Sequence, residues 1–224
     1  METSCDEVVA YVVDDDSRIR ESIGELLESE GIATLGFDSI ARYRAFERPP
    51  KAACLILDMR LPDGTGLNLQ TQLAGSDHPP IIFISGYADV ASSVRAIKAG
   101  AIDFLIKPFG HRELVQAVRT AFEQDRDARM LRAEDARLFG RFALLTPRER
   151  EVMPLIASGL LNKQAAAILG ISEVTLQIHR GHVMRKMAAR SLPHLVRMAD
   201  RLRVSGELIA REPDRGSGNA GVSM

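Results

Sequence analysis

The sequence predicts an α/β half built on a parallel sheet, followed by an all-α half. Three observations carry this. Up to residue 124, five short apolar runs alternate with helix-length amphipathic segments, and no comparable run follows. Charge reverses at the same place: residues 1–124 hold 12 Lys and Arg against 19 Asp and Glu, a net of −7. Residues 146–205 hold 10 against 4, a net of +6, although the whole chain carries only −1. That split suggests an acidic half with a metal or regulatory site and a basic half that meets a polyanion.

The elements follow in order. Val8 to Val13 reads as the first strand, and Ser17 as the cap of a helix that stops at Gly31. Ala33 to Phe37 is the second strand and Ser39 to Arg48 the second helix, broken by Pro49-Pro50. The third strand, Cys54 to Leu57, ends on Asp58 and runs into turn chemistry at Pro62, Asp63, Gly64 and Gly66. A helix over Leu67 to Leu73 leads to Pro79-Pro80 and the fourth strand, Ile81 to Ser85. Asp89 caps the next helix, Asp103 to Ile106 is the fifth strand, and a helix starts near Arg112. Right-handed crossovers then give a parallel sheet covered on both faces.

The strand ends concentrate polar chemistry where open α/β sheets bind ligands. Strand one ends in Asp14-Asp15-Asp16. Adjacent carboxylates repel and raise each other's pKa, which a hard divalent cation, Mg²⁺ above all, would relieve. Asp16 alone is equally explained by a helix N-terminus. Strand three ends in Asp58, strand four in Ser85-Gly86, and strand five runs into Lys107-Pro108-Phe109. A lysine there can reach a phosphoryl oxygen.

Val12-Val13-Asp14-Asp15, Leu57-Asp58 with Pro62 and Gly66, Ile84-Ser85-Gly86 and Lys107-Pro108-Phe109 together resemble the receiver domain of two-component response regulators. The resemblance covers roughly residues 6–124. It implies a flavodoxin-like fold of strand order 2-1-3-4-5, and Asp58 as acceptor of a phosphoryl group from a sensor histidine kinase. It also implies Mg²⁺ held by Asp14, Asp15, Asp58 and the Met59 carbonyl, and a cis Lys107–Pro108 bond. Ser85 stands where the family more often has Thr, keeping the hydroxyl. Phe104 matches the family's switch aromatic; its spacing alone reads equally as core. The altered face would run from about Asp89 to Phe122.

Mixed charge with Met130, Leu131, Leu138 and Phe139 fills residues 125–141 without a proline, which reads as a helical linker, either weakly coiled with a twin or solvated. Thr146-Pro147-Arg148-Glu149 then forms a capping box with proline at the first helical position. Asn162 caps a helix over Lys163 to Leu169 that stops at Gly170, and Ser172 caps one to about Met187. Ser191 caps a fourth, with Leu192, Leu195, Val196, Ala199 and Leu202 in a stripe. Two helices joined at a glycine, the second basic, read as a helix-turn-helix. The Gly-, Ser- and Asn-rich stretch 211–224 reads as a disordered tail.

Leu145 to Val152, Asn162 to Ala166, Ser172 to Arg180 and Met184 to Met187 resemble the LuxR-type DNA-binding domain of the FixJ/NarL group, over about residues 142–204. The resemblance makes Ser172 to Met187 the recognition helix. Gln177, Ile178 and Gly181, with Arg180 and His182, would face the major groove of double-stranded DNA. Lys163, Thr175, His179, Arg185 and Lys186 would contact phosphates; His179 is equally a packed helix residue. The combined reading is a transcription regulator switched at Asp58, dimerising when phosphorylated and acting on promoters with RNA polymerase. It turns over no substrate beyond slow loss of its own phosphoryl group. The same fold under ligand or partner control, and a stand-alone aspartyl-phosphate phosphatase, fit the residues less well. The longest apolar runs fall far below the ~18 residues of a membrane span. The acidic N-terminus has no basic-then-apolar pattern of a signal peptide. Two cysteines, Cys5 and Cys54, make no disulfide framework, so a reducing cytoplasm is expected.

Overall fold

A computed structural model of the chain describes residues 8–86 and 90–204. The Asp89 cap and the 211–224 tail lie outside the described residues. The chain divides into two compact units, Met1–Leu131 and Arg132–Met224.

The first unit is a five-stranded parallel sheet. Its strands are β1 (Val8–Val13), β2 (Ala33–Phe37), β3 (Ala52–Asp58), β6 (Ile81–Ser85) and β7 (Asp103–Ile106), in the order β2-β1-β3-β6-β7. A short antiparallel ribbon, β4 (Arg60–Leu61) with β5 (Gly64–Thr65), follows β3 directly. Around the sheet lie α1 (Ser17–Ser29), α2 (Ile40–Ala45), α3 (Gly66–Leu73), α4 (Val90–Lys98) and the start of α5 (His111–Ala143). Side-chain alternation along each strand sorts the core into two layers. Val12, Ile56, Ile84 and Leu105 pack on Ile23 and Leu27 of α1 and Leu114 and Val118 of α5. Tyr11, Leu55, Leu57 and Phe83 pack with Tyr43 of α2, Leu69 of α3 and Ala96 of α4.

Local departures from expectation have physical causes. The N-cap of α1 is Asp16, whose carboxylate accepts from Arg18 N at 2.9 Å; Ser17 is already helical. α2 ends at Ala45, three residues early, because Phe46 turns extended and packs its ring 5.9 Å from Tyr11 and 5.4 Å from Phe37. The ribbon is locked to α2 by Asp63, which accepts from Ile40 N and Ala41 N. α3 must begin on glycine: a Cβ on Gly66 would stand 2.7 Å from both the Asp58 carbonyl and the Phe83 ring.

The α5 helix runs on through the predicted linker. Asp125, expected on a linker helix either weakly coiled with a twin or solvated, is buried in the first unit and accepts from Ala53 N at 2.9 Å and Arg129 Nε at 2.8 Å. Leu138 and Phe142 belong to the core of the second unit.

That unit packs the end of α5 with α6 (Pro147–Ala157), α7 (Asn162–Leu169), α8 (Glu173–Lys186) and α9 (Leu192–Val204). The Thr146–Glu149 capping box is formed. Asn162 does not cap α7. Leu161 holds that position, Gln164 Oε1 accepts its N–H, and the Asn162 side chain instead accepts from Arg180 Nη1 at 3.0 Å. Ser172 and Ser191 accept from Thr175 N and His194 N as N-caps do.

Candidate functional site

The parallel order sends β1, β3, β6 and β7 out on the same edge of the sheet, so their C-terminal residues converge. Lys107 Nζ lies 2.6 Å from Asp14 Oδ2 and 3.0 Å from Asp58 Oδ2, joining the ends of β1, β3 and β7. Asp15 adds a third carboxylate; ligand oxygens of Asp14, Asp15 and Asp58 all lie within 4.8 Å of one another. Asp14 is fully buried, Asp58 half-buried and Asp15 exposed, so the cluster opens to solvent on one side.

Burial raises the Asp14 pKa above the ordinary carboxylate value, and the hydrogen bonds from Lys107 and from Asp16 N offset this only in part. Burial works against the Lys107 charge too, but its bonds to Asp14 and Asp58 outweigh that and raise its pKa. Three oxygen donors around a costly buried charge suit a hard divalent cation, and the donor set therefore fits Mg²⁺. The Met59 carbonyl, expected as a further ligand, follows directly after Asp58. It accepts from Gly66 N at 3.1 Å, which turns it toward the start of α3, while Met59 itself packs into the core. The Arg60 N–H donates to Asp58 Oδ1 at 3.2 Å, fixing the rotamer of that carboxylate.

Ser85 is buried at the end of β6, and its carbonyl accepts from Lys107 N at 2.7 Å. Phe104 is half-buried, its ring 6.3 Å from that of Phe83. Ser85 and Phe104 line one cleft of about 280 Å³, with Met59, Arg60, Thr65 and Arg95. The Lys107–Pro108 bond is cis.

In the second unit α8 presents Val174, Gln177, Ile178, Gly181 and Arg185 to solvent and turns Leu176, Val183 and Met187 into the core. Of the five residues expected to face the major groove, Gln177, Ile178 and Gly181 thus share the outward face. Four other expected contacts have partners or burial within the unit. Lys186 points inward, its Nζ 2.6 Å from Oε2 of the buried Glu149, and His182 Nδ1 lies 3.5 Å from Oε1 of the same carboxylate. Arg180 is engaged with Asn162, and His179 Nδ1 is buried without a hydrogen-bond partner. Lys163 is exposed, and Thr175 is half-buried against Ser172 Oγ at 2.8 Å. Sequence reasoning took Glu149 only as half of a capping box. The one available hint was an acid followed, 37 residues on, by a lysine on a helix that must pack against it.

Burial works against the Glu149 charge, but bonds from Lys186 and from Thr146 N–H prevail and hold its pKa down at about 2.

Residues 10–119 match the response regulator receiver domain, and residues 143–199 match the luxR family of bacterial regulatory proteins. The chain is a two-component response regulator with a LuxR-type DNA-binding domain. It is 47% identical over 198 residues to Nodulation protein W of Bradyrhizobium diazoefficiens, covering 88% of this chain and 87% of that protein. It is 43% identical to the transcriptional regulatory protein FixJ of Azorhizobium caulinodans over 84% of this chain and 90% of that one. The solved structure of response regulator StyR superposes with a TM-score of 0.77 at 41% identity, covering 87% of this chain and 99% of that one. Among the described residues of this response regulator, no helix is long and apolar enough to cross a membrane.

Proposed function

We propose that Asp58 is the phosphoacceptor of this response regulator and that its modification controls DNA binding. One observation carries the reading: a single ammonium, Lys107, bridges Asp58 to a buried carboxylate of the acidic pair. A carboxylate oxygen of Asp58 attacks the phosphorus of a sensor kinase's phosphohistidine. The phosphorus–nitrogen bond breaks, the imidazole leaves, and an acyl phosphate forms on Asp58. Asp14, Asp15 and Asp58 would hold Mg²⁺, which when bound supplies positive charge to the phosphoryl oxygens. Lys107 supplies more, and shifts from the Asp58 carboxylate to the new oxygens. Ser85 donates its hydroxyl to one of them, and Phe104 moves within the cleft the two residues share. Slow hydrolysis of the acyl phosphate resets the protein.

The product adds roughly −1.5 to −2 charge. Its readout is the face of α4, β7 and α5, where Val90, Val94, Ile97 and Ile106 expose large apolar side chains. A second copy of the receiver covers that face. Two DNA-binding domains then engage paired half-sites with Gln177, Ile178 and Gly181 in the major groove. RNA polymerase is the further partner at the promoter, and the protein works in the cytoplasm, where its DNA is.

The test is incubation with acetyl phosphate and Mg²⁺, followed by mass spectrometry of the acid-stable, base-labile label. Label on Asp58, absent from Asp58→Asn, is the expected result; equal labelling of the variant overturns the assignment.

A further inference from the structure

Asp14 is the most constrained residue of the acidic cluster, and the constraint on its backbone comes from outside the cluster. β1 ends at Val13, so the Asp14 peptide has left the ladder while still buried. A buried carbonyl there needs a donor. Asp14 N donates to Phe37 O at 3.1 Å. Asp14 O accepts from Arg20 Nη1 at 2.6 Å, a charge-assisted bond at the short end of the range. Asp14 Oδ1 accepts from Asp16 N at 2.9 Å, and Oδ2 from Lys107. Arg20 thus holds the main-chain carbonyl of the acidic turn from outside the cluster.

Its path explains a glycine. The Arg20 stem crosses β2 at Gly36, where an added Cβ would stand 3.3 Å from Arg20 Cδ, 3.6 Å from Nε and 3.7 Å from Cβ. Gly36 is paired to Val12 in the strand register and is exposed, so neither its backbone nor the core requires glycine. What it leaves open is the space the arginine uses.

We propose that Arg20 is a positioning residue of the phosphoryl-transfer site. It fixes the Asp14 carbonyl, so the turn that carries Asp14 and Asp15 stays aimed at Asp58, and it touches neither metal nor phosphoryl group. Gly36 serves the same end by giving its stem passage. The inference rests on the reading of the acidic cluster as an Mg²⁺ site given above.

The sign of one measurement separates position from charge. If Arg20 acted only as a nearby positive charge, its removal would strengthen Mg²⁺ binding, since one repulsive cation is gone. As a positioning residue its loss weakens binding, by roughly 10–100-fold as for other groups that orient metal ligands.

Calorimetric titration of the full chain with Mg²⁺ alone would compare wild type, Arg20→Met and Gly36→Ala, with thermal melting of each in EDTA. The expected result is weaker Mg²⁺ binding in Arg20→Met and a smaller loss in the same direction in Gly36→Ala, which keeps every charge. Partial recovery in Arg20→Lys, which restores the charge and a single donor, is expected as well. Unchanged or tighter binding in a folded Arg20→Met overturns the proposal. Should Arg20→Met fail to fold, Arg20→Gln is titrated in its place, and unchanged or tighter binding in that folded variant overturns it instead. Wild type that binds no Mg²⁺ sinks the underlying reading rather than this one, so the two failures are distinct.

Discussion

Each unit of this response regulator buries a carboxylate against a lysine, and the two pairs end in opposite states. In the DNA-binding unit Glu149 is met by more than one donor. Lys186 Nζ and Thr146 N both donate to it, and its pKa falls to about 2. In the receiver, burial raises the Asp14 pKa, and one ammonium, divided between Asp14 and Asp58, offsets this only in part. A satisfied pair reads as scaffold. A pair with too much negative charge for its cation reads as a site waiting for more positive charge. The residues are alike in kind; what differs is whether the bonds to the carboxylate outweigh its burial.

The largest effect should come from breaking the satisfied pair. Glu149→Ala removes the partner of a mostly buried ammonium together with half of a capping box. We expect a loss of roughly 2–4 kcal/mol in urea unfolding of the second unit, below the full cost of an orphaned buried charge because Lys186 can turn toward water. The pH dependence has a fixed sign. The folded state favours the charged carboxylate, so its stability is complete above about pH 4.5 and is lost as the pH falls through about 2. Lys186→Ala should likewise lower stability, and should leave the salt dependence of DNA binding by the folded protein unchanged. A variant of normal stability with a shallower salt slope would return Lys186 to the DNA surface.

The same contrast explains what could be read in the chain. Residues at strand ends are placed by topology: once five alternating βα units are recognised, Asp14, Asp58, Ser85 and Lys107 must share an edge. Local caps were nearly as legible, since Thr146, Ser172 and Ser191 act within three residues. The errors were of two kinds. Where two cap formers stand side by side, as Asp16 and Ser17, or where a distant partner competes, as Arg180 for Asn162, local chemistry cannot choose. Contacts between elements far apart in sequence, such as Lys186 with Glu149 or Asp125 with Ala53, depend on helix packing that periodicity does not encode. Lys186 carries the clearest lesson: a basic residue on α8 is drawn to the buried Glu149, while Gln177 and Gly181 of the same helix face solvent.

A smaller effect sharpens the comparison on the outward face of α8. Gln177→Ala should relax base preference at one position, by about 1–3 kcal/mol against the preferred base, and leave unfolding unchanged. Selection of binding sites by wild type and variant reads this directly. An unaltered preferred sequence would mean that the exposed face is not the reading face. Below that lies Arg185→Ala, which removes one exposed cation without a buried partner. One lost phosphate contact reduces the salt slope by about 0.9, or roughly threefold in affinity between 50 and 200 mM salt. Titration at those two salt concentrations measures it, and a parallel loss of base preference would contradict a phosphate role.

The smallest expected change in stability is the most telling, because it is the mirror of Glu149→Ala. Asp15 is exposed and sits beside the buried Asp14, so Asp15→Ala removes repulsion and no buried partner. Without Mg²⁺ the variant should match wild type within about 0.5 kcal/mol or exceed it slightly. Adding Mg²⁺ should then raise the melting temperature of wild type and not of the variant, since a ligand stabilises only the folded state that binds it. Melting curves of both proteins in EDTA and in millimolar Mg²⁺ complete the test. If Asp15→Ala were as damaging as Glu149→Ala, the acidic pair would be scaffold after all, and the contrast between the two units would collapse. If the variant kept the full Mg²⁺ shift, the cation would be held by Asp14 and Asp58 without it.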